Sequence, residues 1–184
     1  MNHNHKENKK LLDDGIIALR ALEPADLDDM TRWENDTRVW SAGSQGAPMS
    51  RHQIADYIAR YDADIFSARQ LRLIVTETSS GNAVGAVDLY DFDPLSRRAG
   101  VGIIIDEGAR GRGYAVRALT LLWEYASLHL DMHQLWAMTA IDNTAAARAF
   151  ASAGFTTAGR MRSWIRRGRQ WVDALIVQRL KIEA

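Results

Sequence analysis

The 184-residue chain has no cysteine, and its 23 basic and 23 acidic side chains cancel to no formal net charge. Each of these excludes something. Without cysteine there are no disulfides, no thiolate-bound zinc and no thiol nucleophile, and the usage agrees with a reducing compartment, so the cytoplasm is the expected location. Balanced charge gives no electrostatic reason to expect nucleic acid or an anionic membrane as a partner. No apolar run approaches the length that spans a bilayer, so no membrane partner is expected. Residues 1–10 are wholly polar and read as neither signal peptide nor anchor. The expectation is a disordered polar tail over 1–13 and one domain over 14–184. A hydrophobic content of 47% supports a real core for that domain.

What is present is concentrated between Ala99 and Leu130. Ala99-Gly-Val-Gly-Ile-Ile-Ile-Asp106 is apolar on both faces, as a buried strand should be. Glu107-Gly-Ala-Arg-Gly-Arg-Gly-Tyr-Ala115 follows, with glycines that let consecutive backbone N–H groups converge on one point. Ala115, Leu119, Leu122, Trp123 and Ala126 then repeat at helical spacing. A glycine-rich turn between a buried strand and a helix N-terminus is an anion site, most often for phosphate.

The rest of the chain surrounds this unit. Ile16 to Arg20 is a strand, and Glu23-Pro-Ala-Asp26 starts a helix with an acidic first turn. Asn35 to Ala47 is polar and carries Trp40. Ser50 caps a second helix, on which Ile54, Tyr57, Ile58 and Tyr61 share a face. Leu71 to Thr76 and Ala83 to Tyr90 read as a hairpin around Ser79-Ser-Gly-Asn82. Gln134 to Ala140 is the next strand, reached by a parallel crossover. Asp142-Asn-Thr144 opens an alanine-rich helix containing Phe150 and ending at Gly154. Arg160 to Ile165 and Val172 to Leu180 make a last hairpin. The order β-α-α-β-β-β-α-β-α-β-β is an α+β domain with a mixed central sheet flanked by helices.

Three phosphate sites compete for the loop. A P-loop needs a Lys-Ser or Lys-Thr pair, which the chain lacks. A dinucleotide fingerprint needs a third small residue, where Val116 stands. The third is Arg110-x-x-Gly113-x-Ala115, which resembles the pyrophosphate signature of the GCN5-related N-acetyltransferases. Asn143 after the next strand, the pair Gly154-Phe155, and the terminal set Trp164, Gly168, Trp171 and Asp173 fit the same family. The likeness runs from about Ile16 to about Leu180 and is closest to the branch of spermidine and ribosomal-protein N-acetyltransferases.

The resemblance implies splayed central strands, acetyl-CoA as co-substrate, no metal, and direct attack of a primary amine on the thioester. It implies that Val101, Ile103 and Ile105 pair with the pantetheine arm. Arg110, Gly111, Arg112, Gly113, Tyr114 and Ala115 would hold the pyrophosphate, and Asn143 would bond the pantetheine or a water while also capping its helix. A free N–H near Gly102 or Ile103 would polarise the thioester carbonyl, and Gly100 and Gly102 are candidates for a bulge. Two departures stand out. Phe150 replaces the family's frequent tyrosine acid, and Gly100 replaces a glutamate of this branch. Asp88 is then the candidate base, and Tyr114 or water the candidate acid.

Glu34, Asp36, Asp88 and Asp91 favour a cationic acceptor such as a polyamine. Arg160, Arg162, Arg166, Arg167 and Arg169 on the last hairpin leave a peptide N-terminus open as the alternative. A catalytically silent acyl-CoA-binding module also remains, and homo-oligomerisation is open. His129 and His133 read as structural, and Trp123, Trp136 and Phe155 as core.

Overall fold

The computed structural model describes residues 11–37 and 47–182. Trp40, within the polar stretch 35–47, lies outside them, as do residues 1–10. Seven strands form one sheet: β1 (Ile17–Ala21), β2 (Leu71–Glu77), β3 (Ala83–Asp93), β4 (Arg98–Ile105), β5 (Gln134–Ala140), β6 (Thr156–Arg167) and β7 (Gln170–Leu180). Their spatial order is β1-β2-β3-β4-β5-β7-β6. Every neighbouring pair is antiparallel except β4 with β5.

The fold reaches further back than residue 14. The Leu19 N–H donates to the Leu12 carbonyl at 2.8 Å, Asp13 bridges Ala18, and Leu12 packs on the core, so residues 11–13 belong to the fold.

The sheet is covered differently on its two faces. On one lies α4 (Tyr114–Leu128), whose Ala118, Leu119, Leu122 and Ala126 are buried against Val87, Leu89, Val101 and Leu135. Full burial of a leucine or valine contributes about 1.5–3 kcal/mol, so this seam is the main hydrophobic stabilisation of the fold. Trp123 and Phe155 join this core as expected. Trp136 does not: it is half-buried on the opposite face, because side chains on β5 alternate and Leu135 and Ala137 take the core side.

The other face carries a smaller core of Met30, Trp33, Ile54, Ile74 and Ala86 under α1 (Leu27–Glu34) and α2 (Arg51–Ala59). The turn at Glu23 is a 3-10 segment, Pro24–Asp26, closed by a capping box between Glu23 and Asp26, and the α-helix starts after it. Ser50 caps α2 through the Gln53 N–H, and Gln53 returns the bond, as Ser-x-x-Gln permits. A four-residue helix, α3 (Ile65–Ala68), escapes the periodic reading because one turn is too short to show a period. α5 (Thr144–Ser152) runs from the Asn143 cap to Gly154, whose φ of +82° closes it.

Candidate active site between the parted strands

β4 and β5 pair over only three residues, Arg98 with Gln134, Ala99 with Leu135 and Gly100 with Trp136. Beyond them β4 continues to Ile105 against β3, and β5 continues to Ala140 against β7. The strands therefore part after Gly100, and the edge of β4 from Val101 to Ile105 faces β5 without a strand partner. An open strand edge accepts an extended ligand as an added strand would be accepted. No bulge forms at Gly100 or Gly102. The irregularity lies between Tyr90 and Asp93, where Asp91 is exposed with φ of +50°. The two glycines instead leave space for side chains of β3.

The loop after β4 is fixed from both sides. Asp106 accepts bonds from the Trp33 indole at 2.9 Å and the Arg32 guanidinium at 2.6 Å, and caps the turn through the Gly108 N–H at 3.0 Å. The indole bond and the Arg32 charge hold its carboxyl below the usual carboxylate range. Gly111 and Gly113 have φ of +77° and +79°, and a Cβ on either would meet nothing within 4 Å. Conformation, not crowding, requires glycine here. Gly113 is the N-cap of α4 and offers no side-chain acceptor, so the first-turn N–H groups keep their capacity for an anion.

The sequence-expected loop residues divide. Ala115 opens the helix with Tyr114, half-buried. Arg110 donates to the Ile105 carbonyl at 3.1 Å and lies 3.8 Å from Asp36, and Arg112 lies 3.7 Å from Glu77. Tyr114 is buried and donates its hydroxyl hydrogen to Glu77, which pins the loop to the end of β2. Its proton is thereby directed at β2. Asn143 accepts from the Ala146 N–H at 3.1 Å, which leaves its amide NH₂ as donor.

The acidic residues divide too. Glu34 and Asp88 meet on one guanidinium, that of Arg72, each at 2.6 Å. Arg72 also lies 5.6 Å from the Tyr57 ring centroid, and its side chain is 19% exposed, so the pairing is partly shielded from water. Burial works against its charge, and the two carboxylates outweigh that, raising its pKa. Burial pushes the Asp88 carboxyl above its usual range, with Arg72 opposing. Burial pushes the Tyr57 hydroxyl up to about 12. A cavity of about 170 Å³ opens here, lined by Tyr57, Gln70, Arg72, Asp88 and Tyr90. Asp36 is not part of it and sits with Arg110.

Arg72, Tyr57 and Tyr90 are site residues that motif reading misses. One signal exists for Arg72, a lone charge inside the otherwise apolar run Leu71-Arg-Leu-Ile-Val75. On the last hairpin, Arg160 pairs with Asp173, Arg167 with Asp142, and Arg166 donates to the Gly168 carbonyl. His129 stacks on Tyr125.

Residues 17–156 match the family model described as an acetyltransferase (GNAT) domain. The chain is 25% identical over 145 residues to a spermidine N(1)-acetyltransferase of Vibrio cholerae, covering 79% of this chain and 82% of that one. It is 26% identical over 145 residues to the Escherichia coli K12 protein of the same name, covering 79% and 75%. The fold superposes with a TM-score of 0.80 on the Vibrio cholerae spermidine N-acetyltransferase solved with CoA and spermine, at 22% identity, covering 89% and 95% of the chains. A GNAT-family acetyltransferase from Bacillus anthracis gives 0.78 at 16% identity, covering 92% and 97%. With the parted strands, the glycine loop and a family model spanning most of its length, the chain belongs to the GNAT acetyltransferases.

Proposed function

We propose that the protein is an acetyl-CoA-dependent N-acetyltransferase whose acceptor is a small, positively charged primary amine of the polyamine class. The observation that carries this reading is the cavity lined by Asp88 and Arg72, with Glu34 on the same guanidinium, on the sheet face beside the parting of β4 and β5. Two carboxylates on one guanidinium leave one net negative charge, which attracts a cationic amine. The relatives named as spermidine N-acetyltransferases agree with that acceptor class. Arg160, Arg166 and Arg167 of the last hairpin are taken up by Asp173, the Gly168 carbonyl and Asp142, which weakens the case for an acidic peptide as acceptor.

In this reading the pyrophosphate lies on the amides of Arg110 to Ala115, and the pantetheine arm runs along Val101, Ile103 and Ile105 with Asn143 beside it. An alkylammonium has a pKa near ~10.4, so one proton must leave before nitrogen can attack. Asp88 receives that proton through water, and Arg72 holds its carboxylate in place. Tyr114 serves the loop through Glu77 and is not assigned the acid role. A dodecameric structure of the Vibrio cholerae relative supports reading this protein as a homo-oligomer. No described helix is long and apolar enough to cross a membrane, and the absence of cysteine supports a cytoplasmic location.

The test is release of free thiol from acetyl-CoA with spermidine, a monoamine and a short acidic peptide at fixed low salt. Turnover with spermidine is expected. Binding of CoA without amine-dependent release would show a silent acyl-CoA-binding module instead.

A further inference from the structure

Acetyl transfer moves one proton from nitrogen to sulfur, and neither Phe150 nor Gly100 carries a group that could move it. Asp88 takes up the proton shed before attack, so the proton released during attack needs another acceptor. The structure places a side chain over Gly100. Tyr90 and Gly100 are register partners, and a Cβ on Gly100 would collide with Cε2 and Cζ of Tyr90. Cζ bears the hydroxyl, so the hydroxyl end of the ring lies across β4. The ring reaches the Trp136 side chain on β5, edge-on at 5.4 Å between centroids. Gly100 with Trp136 is the last pair before β4 and β5 part. The Tyr90 phenol thus stands at the mouth of the opening, and it also lines the cavity shared by Asp88 and Tyr57.

Of the other nearby phenols, Tyr57 belongs to α2 and sets its ring against the Arg72 guanidinium of β2, not over β4, and two are hydrogen-bonded. Tyr114 donates to Glu77, and Tyr61 is hydrogen-bonded to both backbone groups of Arg72. The Tyr90 hydroxyl has no such partner among the described residues.

We propose that Tyr90 is the proton-transferring residue of the acetyl transfer: its oxygen accepts the proton released by the attacking nitrogen while its own hydrogen passes to the departing sulfur. The carbon–nitrogen bond forms, the carbon–sulfur bond breaks, and the phenol ends as it began, with no further reactant. Such a relay needs a hydroxyl that is neutral at working pH, both donor and acceptor. Burial, with the carboxylates of Asp91 and Asp88 adding to it, holds this phenol above its usual value. The inference rests on the transfer reaction proposed above.

Tyr90→Phe keeps the ring over Gly100 and against Trp136 and removes only the oxygen. The expected result is a kcat about 10²-fold lower, with KM for spermidine, affinity for CoA and melting temperature unchanged. In single turnover the chemical step is expected to slow in D₂O more in the wild type than in Tyr90→Phe, a difference that a packing role for the ring would not produce. If Tyr90→Phe does not fold, Gly100→Ala keeps the phenol but displaces it, and the same loss of kcat is expected. No thiol release by the wild type with any amine overturns the transfer reading and this one with it. Wild-type turnover retained within twofold by Tyr90→Phe, or a loss confined to KM, overturns the assignment to Tyr90 alone.

Discussion

Asp88 and Gly102 are register partners on β3 and β4, and a Cβ on Gly102 would stand 3.4 Å from Asp88 Oδ2. The glycine lets the carboxylate lie over the strand edge that the acyl donor is proposed to follow. Asp88→Asn keeps the shape and removes the charge, leaving Arg72 with Glu34 and the cavity with no net charge. The expected result is kcat/KM for spermidine at least ~10-fold lower, since losing a charge-assisted contact costs about 1.5–3 kcal/mol. Its salt dependence should also flatten. Thiol release at low and high ionic strength checks both.

Gly113→Val places a β-branched residue at φ of +79°. That conformation costs an L-residue roughly 1–2 kcal/mol, and the added methyls project where phosphate oxygens would approach. Affinity for CoA is expected to fall ~10-fold or more by calorimetry, while the circular dichroism of the helices stays the same. Unchanged affinity would remove the loop from the phosphate site.

Asp106→Ala removes the shared acceptor of Trp33, Arg32 and the Gly108 N–H. Loss of such a bond to an ionised group costs about 1.5–3 kcal/mol, and here it also frees the loop from α1. Faster amide exchange over 107–113 and weaker CoA binding are expected together. Exchange that speeds up across the whole sheet would mean that the fold, rather than the loop, depends on Asp106.

Asp26 is 2% exposed and takes a two-pronged contact from Arg20, at 2.6 and 2.8 Å, plus the Glu23 N–H. Burial raises its carboxyl, and these bonds outweigh that, so its folded pKa lies below the ordinary value. The sign is that of a depressed acid: its contribution is complete above the unfolded pKa near ~3.9 and is lost as pH falls through the folded value. Asp26→Asn is expected to lower stability at pH 7 by about 2 kcal/mol, with the gap to wild type closing below pH ~4. Denaturant melts at both pH values check this. A gap that persists in acid would assign the effect to packing.

The sequence by itself determined what short windows can hold. Short apolar runs bounded by turn residues along β2 to β5, and the 3.6-residue repeat of α4, placed the elements, because burial selects the pattern of apolar residues. The glycines at 111, 113 and 154 announced their left-handed turns, and Ser50 and Asn143 announced caps, because these are preferences of the residue and its immediate neighbours. α3 stayed silent for want of length. The partners of the charged and phenolic groups were decided only by the tertiary structure. Arg72 finds Glu34 38 residues away and Asp88 16 residues away, and Tyr114 finds Glu77 across 37. Strand register makes those choices, and a shift of one residue would send Asp88 and Tyr90 to the opposite face. Trp136 read as core and proved to be the wall for Tyr90, for the same reason: which side of β5 is buried is set by what packs on it, not by the residue.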